Sequence, residues 1–336
     1  MYFIILEERN QIMQLVINSR GSYLRKKNNC FLIKNEDKVF EISVKKVDSI
    51  LITTSAYLST DAVKFAMDNN IDIIFLDYFG NPYGRVWHSR LGSTTLIRRK
   101  QLEFSTGERG LNLAKEWIIC KIDNQTELLK NLKNSRPHKE NILKSYIDFI
   151  ENKKIVLLKI KGALEEKRNS IMAIEGMVAK EYFEALSYII PDRFKFKGRS
   201  RNPAKDEFNC LLNYGYGVLY SMVEKGCILA GLDPYLGFIH ADNYNKKSLV
   251  FDLIEMFRIL VDKTIIYLFS KRKVKKEYFD KIKNGLSLNQ EGKAVLIGAL
   301  NETLEKKVRY RGRNIKNRNI IQFECHRIAN NLLKQK

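Results

Sequence analysis

At 336 residues the chain is long enough for one large or two ordinary domains with a substantial core. A mean hydropathy of -0.30 fits a globular protein. No apolar run reaches the length of a membrane span, and the apolar residues 2–6 lack the basic flank of a signal peptide, so the reading is a cytoplasmic chain with no membrane partner. Five cysteines, odd in number, widely spread and without a Cys-x-x-Cys pair, exclude a disulfide frame or zinc knuckle. The net charge is +21, and it is uneven: the first 90 residues carry +2 and the rest +19. That excess points to a polyanionic partner, with a lysine-rich coding bias as the plainer account.

In chain order, residues 1–90 read as β. Short β-branched runs at 14–18, 30–34, 39–42, 49–53 and 72–76 are separated by turn residues at 19–22 and 35–38. One helix interrupts them, capped by Ser59 or Thr60, with Ala62, Val63, Ala66 and Met67 as its buried stripe. Residues 87–98 read as a connector, and from Arg98 onward the pattern is helical. A long segment over 107–132 has Leu111, Ala114, Trp117, Ile118 and Ile122 on one face. A break at 134–138 is followed by helical patterns at 141–152, 155–167 and 168–190, the last stopped by Pro191. Residues 309–318 interleave cations with a tyrosine, either a backbone-tracking segment or a solvated basic tail.

The chemistry gathers in the second half. Leu249, Leu253, Met256 and Leu260 recur at helical spacing, which makes Asp252 and Glu255 neighbours one turn apart. His240 precedes them across a polar loop at 241–247. Two carboxylates and an imidazole can hold a divalent cation, Mg or Mn by donor type; the alternative is a solvated ion-pair face with Arg258. Glu175 sits at the edge of the stripe Ile171, Ile174, Val178 and Tyr182, either as a boundary ion pair or as a ligand aimed into a cleft. Arg199, Arg201 and Lys205 lie in an extended loop over 198–206, where cations can seat a phosphodiester. His88, His138 and His326 have no carboxylate pattern around them.

The wording of four stretches resembles one family. They are 171–183 (Ile-Met-Ala-Ile-Glu-Gly-Met-Val-Ala-Lys-Glu-Tyr-Phe), 198–206 (Gly-Arg-Ser-Arg-Asn-Pro-Ala-Lys-Asp) with 209–216 (Asn-Cys-Leu-Leu-Asn-Tyr-Gly-Tyr), 231–242 (Gly-Leu-Asp-Pro-Tyr-Leu-Gly-Phe-Ile-His-Ala-Asp) and 252–258 (Asp-Leu-Ile-Glu-Met-Phe-Arg). Together, and in this order, they resemble the CRISPR-associated integrase, first-numbered of the CRISPR-associated proteins and larger subunit of the spacer-acquisition complex. The resemblance implies an α+β fold, with a small β-sandwich-like dimerisation domain over 1–90 and a larger α-helical catalytic, DNA-binding domain over 91–336. It implies a metal-dependent DNA endonuclease and integrase. Glu175, His240 and Glu255 would hold Mg or Mn, and Asp252 would serve at the same catalytic site as ligand or supporting group. Arg199, Arg201, Lys205, Asn213, Tyr216 and Arg258 would line the DNA cleft, with Tyr214 read as a packing residue. The nucleophile would be the 3′-hydroxyl of a captured fragment attacking a CRISPR repeat. The partners would be DNA, a second copy in a homodimer, and the small second-numbered CRISPR-associated protein. A transposon-encoded integrase would share the catalytic domain but usually carries extra DNA-binding domains, for which the length leaves no room. A basic, non-catalytic DNA-binding scaffold with a degenerate site is the reading from another class, and the filled acid and histidine positions weigh against it.

Overall fold

The β-branched runs of the N-terminal region form two four-stranded sheets in a computed structural model that describes residues 13–36, 38–87, 95–201, 203–240 and 246–334. Residues 2–6, His88 at the start of the expected connector, and loop residues 241–245 with Asp242 lie outside the described residues. The strands are β1 (Met13–Ile17), β2 (Ser22–Lys27), β3 (Cys30–Asn35), β4 (Lys38–Ser43), β5 (Val47–Ile52), β6 (Ala56–Leu58), β7 (Asp72–Leu76) and β8 (Pro82–Val86). One sheet runs β1-β5-β7-β8, parallel except for β8; the other runs β4-β3-β2-β6, antiparallel except for β6. Leu15, Ile17, Leu24, Phe31, Ile33, Ile50 and Ile73 from both sheets share one core with Phe65 and Ala66 of helix α1 (Thr60–Asp68). Ser59 caps α1, its hydroxyl accepting from the Ala62 N–H at 3.2 Å.

Strands β2, β6 and β8 were not expected from the sequence. β2 buries only Ser22 and Leu24, and its outward Arg25, Lys26 and Lys27 mask the alternation. β8 is an edge strand that opens on Pro82, where a missing N–H does no harm.

The remainder is mostly helical. It comprises α2 (Thr95–Phe104), α3 (Gly107–Asn134), α4 (Glu140–Lys159), α5 (Leu164–Ser187), α6 (Glu207–Ala230), α7 (Ser248–Ile254), α8 (Arg258–Ser270), α9 (Gln290–Glu305) and α10 (Asn317–Lys334). The fold is thus α+β, a small β-sheet region followed by a largely helical one. Two antiparallel ribbons interrupt the helices: β9 (Phe279–Ile282) with β10 (Gly285–Leu288), and β11 (Lys307–Tyr310) with β12 (Arg313–Lys316). The second corrects the reading of 309–318 as a tail. Arg311 and Gly312 both take positive φ (45° and 79°), the geometry of a two-residue hairpin turn, and α10 follows. The patterns at 141–152 and 155–167 are also not two helices. Lys153 and Lys154 continue α4, and the break falls at 160–163, where Gly162 has a φ of +114°. No described helix is long and apolar enough to cross a membrane.

Packing divides the chain into two compact units that interleave in sequence. One comprises residues 1–90, 201–221 and 271–318; the other comprises 91–200, 222–270 and 319–336. Within the first, Gly217 of α6 lies against the backbone of Gly80, where any Cβ would overlap the Gly80 carbonyl oxygen. The buried Arg85 bonds Asp72 at 2.6 Å and the Ser221 carbonyl at 2.6 Å. Gln290 donates to the Asn18 carbonyl at 2.6 Å. Within the second, α3 packs on α4 and α5 through Leu111, Ala114, Trp117, Ile118 and Ile122, all at most 1% exposed. Buried Tyr182 donates to Asp262 at 2.8 Å.

Candidate metal centre

Four elements of the second unit bring Glu175, His240, Asp252, Glu255 and one unexpected lysine together. Glu175 projects from α5 beside Ile171, Ile174 and Val178, with its side chain 30% exposed. Asp252 is on α7 and fully buried. The expected single helix over 249–260 is in fact two. α7 ends at Ile254, and 255–257 turn through tighter bonds, Met256 N–H to Leu253 O (3.3 Å), Phe257 N–H to Ile254 O (2.9 Å) and Leu260 N–H to Phe257 O (3.0 Å), before α8 begins at Arg258. Glu255 sits at this break. It does pair with Arg258, whose Nε lies 2.9 Å from Oε1, but Glu255 itself is only 6% exposed, so the pair is no solvated face.

Asp252 fixes the histidine. Its Oδ2 accepts from the Phe238 N–H (2.6 Å) and the Ile239 N–H (3.1 Å), and its Oδ1 from the His240 N–H (2.9 Å). His240 Nδ1 is 2.7 Å from the same Oδ1. Four donors meet the roughly four lone-pair sites of one carboxylate, so both oxygens are committed to the histidine segment. With Nδ1–H toward Asp252, the Nε2 lone pair is left for another partner. Burial alone would disfavour the charged ring, but the hydrogen bond and charge of Asp252, with Glu255 and Glu175 adding to them, raise the His240 pKa above its ordinary value. The segment leading to His240 is held further. Gln101 donates to the carbonyls of Asp233 and Leu236 at 2.9 Å each and accepts from the Asp233 N–H. Phe238 packs edge-on against Trp117 at 5.1 Å, and Arg168 donates to the Phe238 carbonyl at 3.0 Å. Gly237 is required: a Cβ there would lie 2.5 Å from the His240 carbonyl oxygen.

The residue missed in the sequence is Lys121. It lies on the buried face of α3 at 6% exposure, and its ammonium pairs with both Glu175 and Glu255, the latter at 2.6 Å. Burial opposes its charge, but Glu255 and then Glu175 more than offset this, and its pKa is raised. Glu255 behaves reciprocally. Burial would push it up, yet Arg258, Lys121 and His240 hold it at about 2. The signal was present as a lysine one helical turn from Trp117 and Ile118, on an otherwise apolar stripe.

The donor types suit a hard divalent ion, with two glutamate carboxylates and one imidazole nitrogen. Glu255 Oε2 is buried and faces the Lys121 ammonium at 2.6 Å. As the side chains stand, no three His, Cys, Asp or Glu among the described residues enclose an ion, and the cation between Glu175 and Glu255 is the Lys121 ammonium.

Of the remaining predicted residues, Arg199 belongs to the same unit, donates to the Ser200 carbonyl at 3.1 Å and lies over the Phe183 ring at 5.4 Å. Arg201, Lys205, Asn213 and Tyr216 belong to the first unit. There Arg201 is exposed, Lys205 donates to the Asn284 carbonyl at 2.7 Å, Asn213 lines a small cavity with Tyr78, Phe79 and Tyr214, and Tyr216 is buried.

Residues 15–302 match the model of the family described as CRISPR associated protein Cas1. The CRISPR-associated endonuclease Cas1 1 of Archaeoglobus fulgidus is 35% identical over 94% of this chain and 95% of its own. Among solved structures, a casposase bound to integration product superposes with a TM-score of 0.83 at 23% identity, covering 97% of this chain and 92% of that one. A Cas6-RT-Cas1–Cas2 complex does so with a TM-score of 0.78 at 21% identity, covering all of this chain and 36% of that one. Similarity to these structures at such identities speaks for the shared fold.

Proposed function

The chain belongs to the Cas1 family, and from that premise we propose that it is a metal-dependent DNA endonuclease and integrase of CRISPR adaptation. The observation that carries this reading is the Asp252 clamp. It commits both carboxylate oxygens to residues 238–240 and holds His240 by Nδ1, which leaves Nε2 for another partner, with Glu255 and Glu175 near enough to add to the rise in the ring's pKa. His240, Glu175 and Glu255 would hold Mg or Mn, and Asp252 is the orienting group. Bound there, such an ion would neutralise non-bridging phosphate oxygens and make an attacking hydroxyl more acidic. Asp252 keeps the imidazole in one tautomer and one direction. Arg258 keeps Glu255 ionised, so its carboxylate is ready at any physiological pH. With the 3′-hydroxyl of a captured fragment as nucleophile the product is an integrated spacer end; with water it is a nick.

Partners follow the same reading. The casposase structure contains an integration product and the Cas6-RT-Cas1–Cas2 structure contains Cas2, which supports DNA and the small Cas2 protein as partners here. The excess of positive charge after residue 90 suits phosphate neutralisation, and Lys307, Arg309 and Arg313 on the exposed β11–β12 ribbon add to Arg199, Arg201 and Lys205. Residues 1–90 would serve dimerisation, with 91–336 as the catalytic, DNA-binding region.

The test is strand transfer into a repeat-containing supercoiled plasmid with the small partner present, comparing wild type, His240→Ala and Glu255→Ala in Mn2+ and in EDTA. Metal-dependent half-site products from wild type alone are expected. Equal activity in the variants would place the chemistry elsewhere. Salt-sensitive DNA binding without products in any sample would make the chain a scaffold.

A further inference from the structure

Lys121 is the one residue of the cluster without a role in the reading above. An ammonium is strongly hydrated, so a lysine 6% exposed needs acceptors of opposite charge. Both of its acceptors are carboxylates from distant parts of the sequence, Glu175 on α5 and Glu255 at the α7–α8 break. The contact with Glu255 Oε2 is an ion pair at 2.6 Å that helps to hold Glu255 ionised. Glu255 already has a second cation in Arg258, whereas Glu175 and Glu255 are joined to each other through Lys121.

We propose that the Lys121 ammonium is a placeholder cation, which holds Glu175 and Glu255 together in the metal-free chain and must be displaced before a divalent ion can use both carboxylates. The inference rests on the metal-dependent reading of this site. An ammonium and a divalent ion cannot share the same carboxylate oxygens of Glu175 and Glu255, because like charges so close repel strongly. Lysine has the compactness and the flexible stem to leave, which a planar, bidentate arginine lacks. The site is therefore electrostatically complete without metal, and its affinity for the ion is lower than its ligands alone would give.

Mn2+ binding to the full chain, measured calorimetrically and by paramagnetic resonance of the free ion, tests this with wild type, Lys121→Met and Glu255→Gln. Lys121→Met is expected to bind Mn2+ about tenfold more tightly than wild type, to melt lower in EDTA, and to gain more from added Mn2+. Glu255→Gln is expected to lose binding, which assigns the measured ion to this site. Equal or weaker binding by Lys121→Met overturns the placeholder role, as does unaltered binding by Glu255→Gln. If neither wild type nor Lys121→Met binds Mn2+, the metal-dependent reading fails and takes the inference with it. Should Lys121→Met not fold in EDTA, the wild type decides. Acylation of the Lys121 amine, read by peptide mass spectrometry, is expected to be faster in Mn2+ than in EDTA, and equal labelling overturns the proposal.

Discussion

Replacing Asp252 with asparagine changes one atom and should cost much of the stability of the histidine segment. The carboxylate receives four donors: the N–H groups of Phe238, Ile239 and His240, and His240 Nδ1. Asparagine offers one oxygen and one NH2. With the NH2 in place of Oδ2, the Phe238 and Ile239 N–H groups face another donor; in place of Oδ1, the His240 N–H does, while the ring can change tautomer and accept at Nδ1. Hydrogen bonds to a charged acceptor contribute about 1.5–3 kcal/mol each, so one or two lost bonds give about 1.5–6 kcal/mol. For a cooperative unit of this size, at about 2–4 °C per kcal/mol, melting should fall by about 3–24 °C. The chain has two compact units, so a single melting curve need not be two-state. Amide exchange read by mass spectrometry over 236–255 localises the effect, with Phe238, Ile239 and His240 expected to lose protection first. Melting within a degree of wild type, with unaltered exchange across that peptide, would refute the clamp.

Other expectations follow from single contacts. Gly217→Ala should destabilise by about 3 kcal/mol or more, since its methyl would overlap the Gly80 carbonyl and neither backbone can yield, whereas Gly176→Ala, with nothing within 4 Å, should stabilise α5 by about 0.5–1 kcal/mol; chemical denaturation that ranks them the other way refutes both assignments. Glu255, held at about 2 against an ordinary 4.5, contributes stability above the ordinary value that is lost as pH falls toward the lower one. In EDTA, the stability difference between wild type and Glu255→Gln should therefore be full above pH 4.5 and shrink steadily down to 2; a constant difference across that window contradicts it. Ser59→Ala should cost about 1 kcal/mol by removing the α1 cap, with Ser59→Asp restoring most of it in the same unfolding assay.

The β-branched strands and the long helices were legible because their signals are local. The run over 72–76 is β7 residue for residue, and the stripe through Leu111 and Trp117 is the buried face of α3. The helix ending at Ile254 was read too long because 249–260 keeps its apolar spacing through a tight turn that only tertiary contacts enforce, among them the Asn124 amide donating to the Met256 carbonyl at 3.0 Å. The β11–β12 ribbon was hidden by its brevity and its charges: each strand is four residues long, and Val308 and Tyr310 alternate with Lys307 and Arg309 over too few positions to read as a strand. At the site, the acid and histidine positions were legible from the wording of their segments. What each of them does was not. Asp252 and Glu255 are three residues apart yet turn to different tasks, one toward backbone amides and the other toward two cations. Lys121 was missed because a lone lysine on an apolar stripe has meaning only once its carboxylates, from 54 and 134 residues away, are in place.

The interleaved make-up of the first compact unit sets the order in which this chain can mature on the ribosome. Strands β1 to β8 emerge early, but α6 around Gly217, the Ser221 carbonyl that receives Arg85, and Gln290 come much later. The last piece of that unit ends at Arg318, whose guanidinium lies 2.6 Å from Glu305 and 3.6 Å from Asp48. Domains normally complete in the order they are synthesised. Here the first-made sheets can close a core with α1 early, but their contacts with Gly217, the Ser221 carbonyl and Gln290 form only after those residues have been made.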